Sequence, residues 1–261
     1  MMRYREYSAD KEKTIVLIHP SLVLWDYFEY VIPYLEKDYR LIIPILPGYD
    51  PQERSDFTSV EEVAKDLADI LLEKGIEEIE CIYGCSMGGS IVLRFLADGK
   101  IKTKAAIIDG GITPYRLPYL ITRFIALKDF LLICLGKWGG IKILEKAFST
   151  DEYSKEDLEY VLKVLNMISY KTIWNTFDSC NNYVMPDPIN IDCKKIVYWY
   201  ADGEKKDRKK DISYIKEKLP QVVFKEFENI GHAGLALLKP ETMALELKEL
   251  LNQGGEESVA F

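Results

Sequence analysis

One stretch constrains this chain more than any other: Cys81-Ile82-Tyr83-Gly84-Cys85-Ser86-Met87-Gly88-Gly89. It reads as a short apolar strand over 79–83, a tight Gly-x-Ser-x-Gly turn, and an apolar helix opening with Ser90-Ile91-Val92-Leu93-Arg94-Phe95-Leu96. A serine on a sharp strand-to-helix turn projects its hydroxyl from the top of a sheet, the geometry of a nucleophile elbow. Side chains at positions 84 and 88 would crowd the place where strand and helix backbones meet, so glycine there has a steric reason.

The rest of the chain alternates around that stretch. Residues 2–7 read as a short edge strand. Thr14-Ile15-Val16-Leu17-Ile18 and Leu41-Ile42-Ile43-Pro44-Ile45-Leu46 are continuous apolar runs, as expected of strands buried on both faces. Pro20 ends the first and Pro47-Gly48 the second. Residues 25–37 have an amphipathic helical pattern interrupted by Pro33. A clearer helix runs over 59–74, with Val60, Val63, Ala64, Leu67 and Leu71 on one face, a Ser59/Glu62 capping pattern and Gly75 as the stop. A strand at 104–108 ends in Asp109-Gly110-Gly111. From 112 to 190 alternation gives way to helical patterns at 117–135, 140–148, 154–168 and 170–181. It resumes with strand 195–200, a Lys-rich helix at 207–218, strand 221–227 and helix 240–251. Alternating units predict a mostly parallel sheet covered on both faces. The division expected is a core of 1–111 and 191–253, a helical cap of 112–190 over the carboxyl edge of the sheet, and a frayed tail at 254–261.

Charge and cysteine content narrow the function classes. The formal net charge is −8, against a nucleic-acid binder that needs a basic face. The five cysteines are irregularly spaced, with no CxxC and no Cys/His cluster, so neither a disulfide framework nor a zinc site is indicated. They read as reduced, mostly buried thiols of a cytoplasmic protein. The first residues, Met-Met-Arg-Tyr-Arg-Glu-Tyr, lack the apolar core of a secretion signal. The most apolar stretch, 117–135, carries Arg123, Lys128 and Asp129, too many charges for a membrane span.

A serine hydroxyl needs a base to act as nucleophile near neutral pH, and histidine is the side chain suited to it. The chain holds only two histidines, His19 and His232, both just beyond strands. His232 follows the last strand. The base in turn needs an acid to fix its tautomer and stabilise the imidazolium. In the chain order serine, acid, histidine, that acid should leave strand 195–200, where Ala201-Asp202-Gly203-Glu204-Lys205-Lys206-Asp207 offers three carboxylates. His19 reads as structural or pocket-shaping, since one base suffices. Cys85 reads as a packed neighbour of Ser86.

The Gly84-to-Gly89 turn, the late Gly231-His232, the His19-Pro20 dipeptide after the first central strand and the mid-chain helices together resemble the α/β-hydrolase superfamily over residues 14–251. The resemblance implies an α/β-hydrolase fold and a triad of Ser86, His232 and an acid three residues past a strand-end glycine. Ala201 stands in that glycine's place, so the count falls on Glu204, with Asp202 and Asp207 behind it. It also implies an oxyanion hole from the backbone N–H of Met87 and one in the loop after the first central strand. Pro20 has no N–H, which leaves Ser21 or Leu22, and Ser21 is preferred.

The expectation is therefore a serine hydrolase that cleaves a small to medium, apolar ester or thioester through a Ser86 acyl-enzyme, with no metal or organic cofactor required. The competing readings are carbon–carbon hydrolysis, lactone hydrolysis or a lyase step on the same triad, and a ligand-binding member without catalysis. The expected partner is a small-molecule substrate, and oligomeric state is not encoded legibly.

Overall fold

A computed structural model of the chain describes residues 2–115, 117–147 and 154–252. The expected tail and the end of the 140–148 helix lie outside them. Seven strands form one sheet: β1 (Arg3–Tyr7), β2 (Thr14–Ile18), β3 (Arg40–Ile45), β4 (Glu78–Cys85), β5 (Lys102–Asp109), β6 (Lys195–Ala201) and β7 (Val223–Phe227). Their order is β1-β3-β2-β4-β5-β6-β7, with only β1 antiparallel to its neighbour. The helices are α1 (Ile32–Leu35), α2 (Val60–Glu73), α3 (Met87–Asp98), α4 (Tyr119–Gly139), α5 (Ile141–Ala147), α6 (Lys155–Met167), α7 (Tyr170–Asn182), α8 (Lys209–Lys218), α9 (Leu235–Leu238) and α10 (Pro240–Asn252).

The continuous apolar runs are central strands because helices cover both their faces. Side chains alternate across a strand, so Val16, Ile18, Ile42 and Ile82 join one core cluster with α2 and α3. Ile15, Leu17, Ile43, Cys81 and Tyr83 join a second with α10 and the segment around Phe28. All five residues of β2 are buried, and truncating Leu17 to alanine should cost about 2–5 kcal/mol.

The amphipathic pattern at 25–37 does not become one helix. It splits into a 3-10 turn at Trp25–Phe28 and the four-residue α1, with Pro33 in the first turn of α1. Proline has no N–H and would clash with the carbonyl four residues back, but it is tolerated in a first turn, so the helix restarts there. α9 is a short element that the sequence pattern did not announce. Ser59 caps α2 by accepting the Glu62 N–H, as its spacing predicts. Among the described residues, no helix is long and apolar enough to cross a membrane.

Register matters most for the site. Ile18 pairs with Gly84, Gly84 with Ile108, Cys85 with Asp109, and Asp109 with Trp199. The carboxyl ends of β2, β4, β5 and β6 therefore finish side by side. The four helices α4–α7 follow β5 and attach to the loops beyond β2 and β3. The Tyr160 hydroxyl accepts the Leu24 N–H at 3.0 Å and donates to Asp26. Thr172 Oγ1 accepts the Phe57 N–H, Asn175 donates to the Phe57 carbonyl, and Thr176 shares a hydrogen bond with the buried Tyr49 hydroxyl.

Candidate active site

Ser86 stands at the junction of β4 and α3 with φ 52° and ψ −114°. A non-glycine residue held at positive φ is strained, at a cost of order 1–3 kcal/mol, and persists only where its surroundings enforce it. The enforcing contacts are glycine contacts. A Cβ on Gly84 would lie 2.2 Å from the Gly88 carbonyl oxygen, one on Gly88 2.4 Å from the Ile18 carbonyl oxygen, and one on Gly89 2.7 Å from the Gly111 Cα. These closures clamp α3 against β2, β4 and the end of β5 at once. The Ser86 N–H donates to the Asp109 carbonyl at 2.7 Å. Although Ser86 is the N-cap of α3, its side chain accepts no capping hydrogen bond from the helix. Cys85 is fully buried, and burial pushes its thiol well above its ordinary range, so it is no thiolate nucleophile.

His232 lies in the loop between β7 and α9, its side chain 40% exposed. Its Nδ1 is 2.6 Å from Glu204 Oε2. Glu204 ends a 3-10 turn that leaves β6, and its other oxygen, Oε1, accepts the Ala201 N–H at 2.9 Å. Burial alone would raise the Glu204 carboxyl. The hydrogen bond and charge of His232, the Ala201 N–H and the nearby Arg208 outweigh it and hold the group below its usual value. Arg208 Nε lies 3.4 Å from Glu204 Oε2, an ion pair without the alignment of a hydrogen bond.

Of the three carboxylates in this loop, the structure brings only Glu204 to the histidine by a hydrogen bond. Asp202 is exposed and accepts the N–H groups of Gly203 and Asn229, while Asp207 is exposed. Gly110 ties the pair to the elbow. It follows Asp109 at φ 57°, and a Cβ there would lie 2.9 Å from His232 Cε1 and 3.1 Å from Glu204 Oε1.

His19 is buried completely. Its Nδ1 donates to the Pro20 carbonyl at 2.8 Å and its ring meets Tyr49 edge-on, while Nε2 has no hydrogen-bond partner. Burial is the main cause of a value pushed down to about 4, so the ring is neutral. The hydrogen bond nevertheless has a geometric effect. In a trans peptide the C=O and N–H point in opposite directions. Fixing the Pro20 carbonyl on His19 therefore aims the Ser21 N–H away from His19. Leu22 is held at φ 67°. Met87 supplies the first N–H of α3, where the helix dipole favours negative charge.

Two neighbours of the site went unassigned from the sequence. Asp109 is buried at the end of β5 and accepts a 2.5 Å hydrogen bond from the Tyr83 hydroxyl. Gly110 makes the contact on His232 described above. The signal available was a carboxylate ending an apolar strand immediately before two glycines.

Comparison with known proteins agrees with this architecture. A family model described as the alpha/beta hydrolase fold matches residues 13–133. No curated protein matches the chain by sequence. Among solved structures, an alpha/beta hydrolase family protein from Desulfitobacterium hafniense superposes with a TM-score of 0.75 at 22% identity, covering 96% of this chain and 100% of its own. MenH from S. aureus gives 0.76 at 18% identity, covering 97% and 99%. A thermophilic esterase from Thermogutta terrifontis gives 0.72 at 16%, covering 97% and 93%. With its mostly parallel seven-stranded sheet, its Gly-x-Ser-x-Gly turn between β4 and α3, and these matches, the chain has the α/β-hydrolase fold.

Proposed function

We propose that the protein is a serine hydrolase acting on esters or thioesters of apolar acyl or aromatic groups. The observation that carries the reading is the 2.6 Å His232–Glu204 pair, seated against Gly110 one residue from the carbonyl that holds the Ser86 N–H. In this mechanism His232 takes the Ser86 proton as the Ser86 oxygen attacks the carbonyl carbon. Glu204 stabilises the imidazolium, and the N–H groups of Met87 and Ser21 hold the oxyanion. His232 returns the proton to the leaving group. Water, activated by the same imidazole, then releases the acid and restores Ser86. The chemistry draws on no metal or organic cofactor.

Residues 112–190 are read as a cap over this site, because their hydrogen bonds go to the loops after β2 and β3. Their composition supports an apolar substrate: α4 alone exposes Leu120, Phe124, Leu131, Leu132 and Trp138. Five buried, free thiols fit a cytoplasmic setting.

A fluorophosphonate probe followed by peptide mapping tests the nucleophile. Labelling at Ser86 that disappears in His232→Ala is the expected result, and a folded but unlabelled protein would overturn the reading. Nitrophenyl esters of increasing chain length test the substrate class. Labelling without turnover of any of them would point to carbon–carbon cleavage, lactone or lyase chemistry on the same residues.

A further inference from the structure

The serine mechanism leaves the buried carboxyl of Asp109, next to the site, without a role. Asp109 ends β5, and its backbone carbonyl already holds the Ser86 N–H. Its carboxyl turns inward, 7% exposed as a residue, and takes the Tyr83 hydroxyl at 2.5 Å. A void of about 10 Å³, room for about one water molecule, is bounded by both Asp109 and Glu204 together with Ala201, Phe227 and Gly231. Asp109 and Glu204 thus border one small space beside the loop that carries His232. A buried carboxylate is costly and is seldom kept without a partner or a task. One tyrosine hydroxyl is a modest partner for it.

We propose that Asp109 is a positioning residue for the His232–Glu204 pair, a second buried carboxylate whose negative charge helps to hold the imidazolium formed when His232 takes the Ser86 proton. The role rests on the serine-hydrolase reading above, but the charge linkage itself does not. The ionisable groups facing Asp109 are Tyr83 and Cys85 from β4, Tyr27 from the turn after β2, Tyr198 from β6, Glu204 and His232. The tyrosines and the thiol are pushed upward by burial and stay neutral. That leaves Glu204 and His232 as the groups that exchange charge with Asp109.

Burial raises the Asp109 carboxyl to about 6, the Tyr83 hydrogen bond opposes that, and the Glu204 charge adds to it. Asp109 is then ionised at pH 7 to 8 and neutral well below 6. The extra negative charge is present where a hydrolase of this kind would work and is withdrawn in acid.

With only two histidines, and His19 sealed in the core, the His232 imidazole can be followed by NMR without turnover. Asp109→Asn should move its titration midpoint to lower pH by about one unit, since an opposite charge nearby favours the protonated ring. Tyr83→Phe, which keeps the carboxyl and removes its donor, should move the midpoint the same way by less. In turnover, Asp109→Asn should lower kcat about tenfold with KM unchanged and carry the acid limb of kcat/KM to lower pH. An unmoved midpoint in folded Asp109→Asn would overturn the linkage, and if that variant does not fold, an unmoved midpoint in Tyr83→Phe would do so. A moved midpoint with unchanged kcat would remove the catalytic role. If the midpoint moves while wild-type Ser86 resists the fluorophosphonate, the serine-hydrolase reading fails and the electrostatic link stands.

Discussion

The loops after β2 and β7 begin alike and end differently. Each carries one of the two histidines of the chain just past a strand end. In the first loop, the ring is fully buried against Tyr49, neutral, and spent on the Pro20 carbonyl. In the second, the ring is 40% exposed and bound to a buried carboxylate. A general base needs access to the reacting proton and an acid to stabilise its charged form. Only the second loop provides both. The first histidine keeps a structural task, holding the Pro20 carbonyl and with it the direction of the next peptide bond.

The sharpest way to break this contrast is to remove each ring. His232→Ala should lower kcat/KM on an ester substrate by about 10⁴- to 10⁶-fold with little change in thermal stability. His19→Asn, whose amide can still donate to the Pro20 carbonyl, should cost no more than about tenfold to a hundredfold, through the Ser21 donor alone. Comparable losses in the two variants would erase the distinction.

Glu204→Gln should cost about 10³- to 10⁴-fold in kcat, because an amide neither stabilises the imidazolium nor enforces the tautomer. The paired substitutions Asp202→Asn and Asp207→Asn should each stay within about twofold. A larger effect from either aspartate would move the acid along the loop.

The last effect is one of stability. His19 has a folded-state value depressed to about 4 by burial, below its ordinary 6.5. Its contribution is therefore present above about pH 6.5 and is lost as pH falls towards 4, where the unfolded chain binds a proton that the folded chain refuses. Up to about 3 kcal/mol is at stake, readable from denaturant midpoints between pH 7 and 4. His19→Asn should flatten that slope and His232→Ala should not. Asp109 works in the opposite sense: its folded value is raised, so stability is greatest below about pH 4 and declines as pH rises through about 6. Asp109→Asn should remove that decline.

The misplaced helix at 25–37 shows where pattern reading fails. The apolar spacing is there, yet Pro33 is tolerated only in the first turn of a helix, and the chain resolves the conflict with two short turns. The four central strands and α2 carried no such conflict, because propensity, periodicity and caps agreed. Asp109 was overlooked for a different reason. A strand-end aspartate looks the same in one dimension whether it faces solvent or lies buried beside the loop of the His232–Glu204 pair.

By itself the sequence determined the sheet strands, the elbow and the order in which its partners follow it. Those features depend on local sterics and on periodicity, both written residue by residue. The sequence favoured Glu204 over its neighbours and His232 over His19, but only tertiary structure brings Glu204 to His232, seals His19 away and sets the end of β5 with its buried acid beside them. The physical reason is register. Once Ile18, Gly84, Ile108 and Trp199 fall into neighbouring strands at one edge, the side chains just beyond them are forced together, and burial sets the charge each can carry.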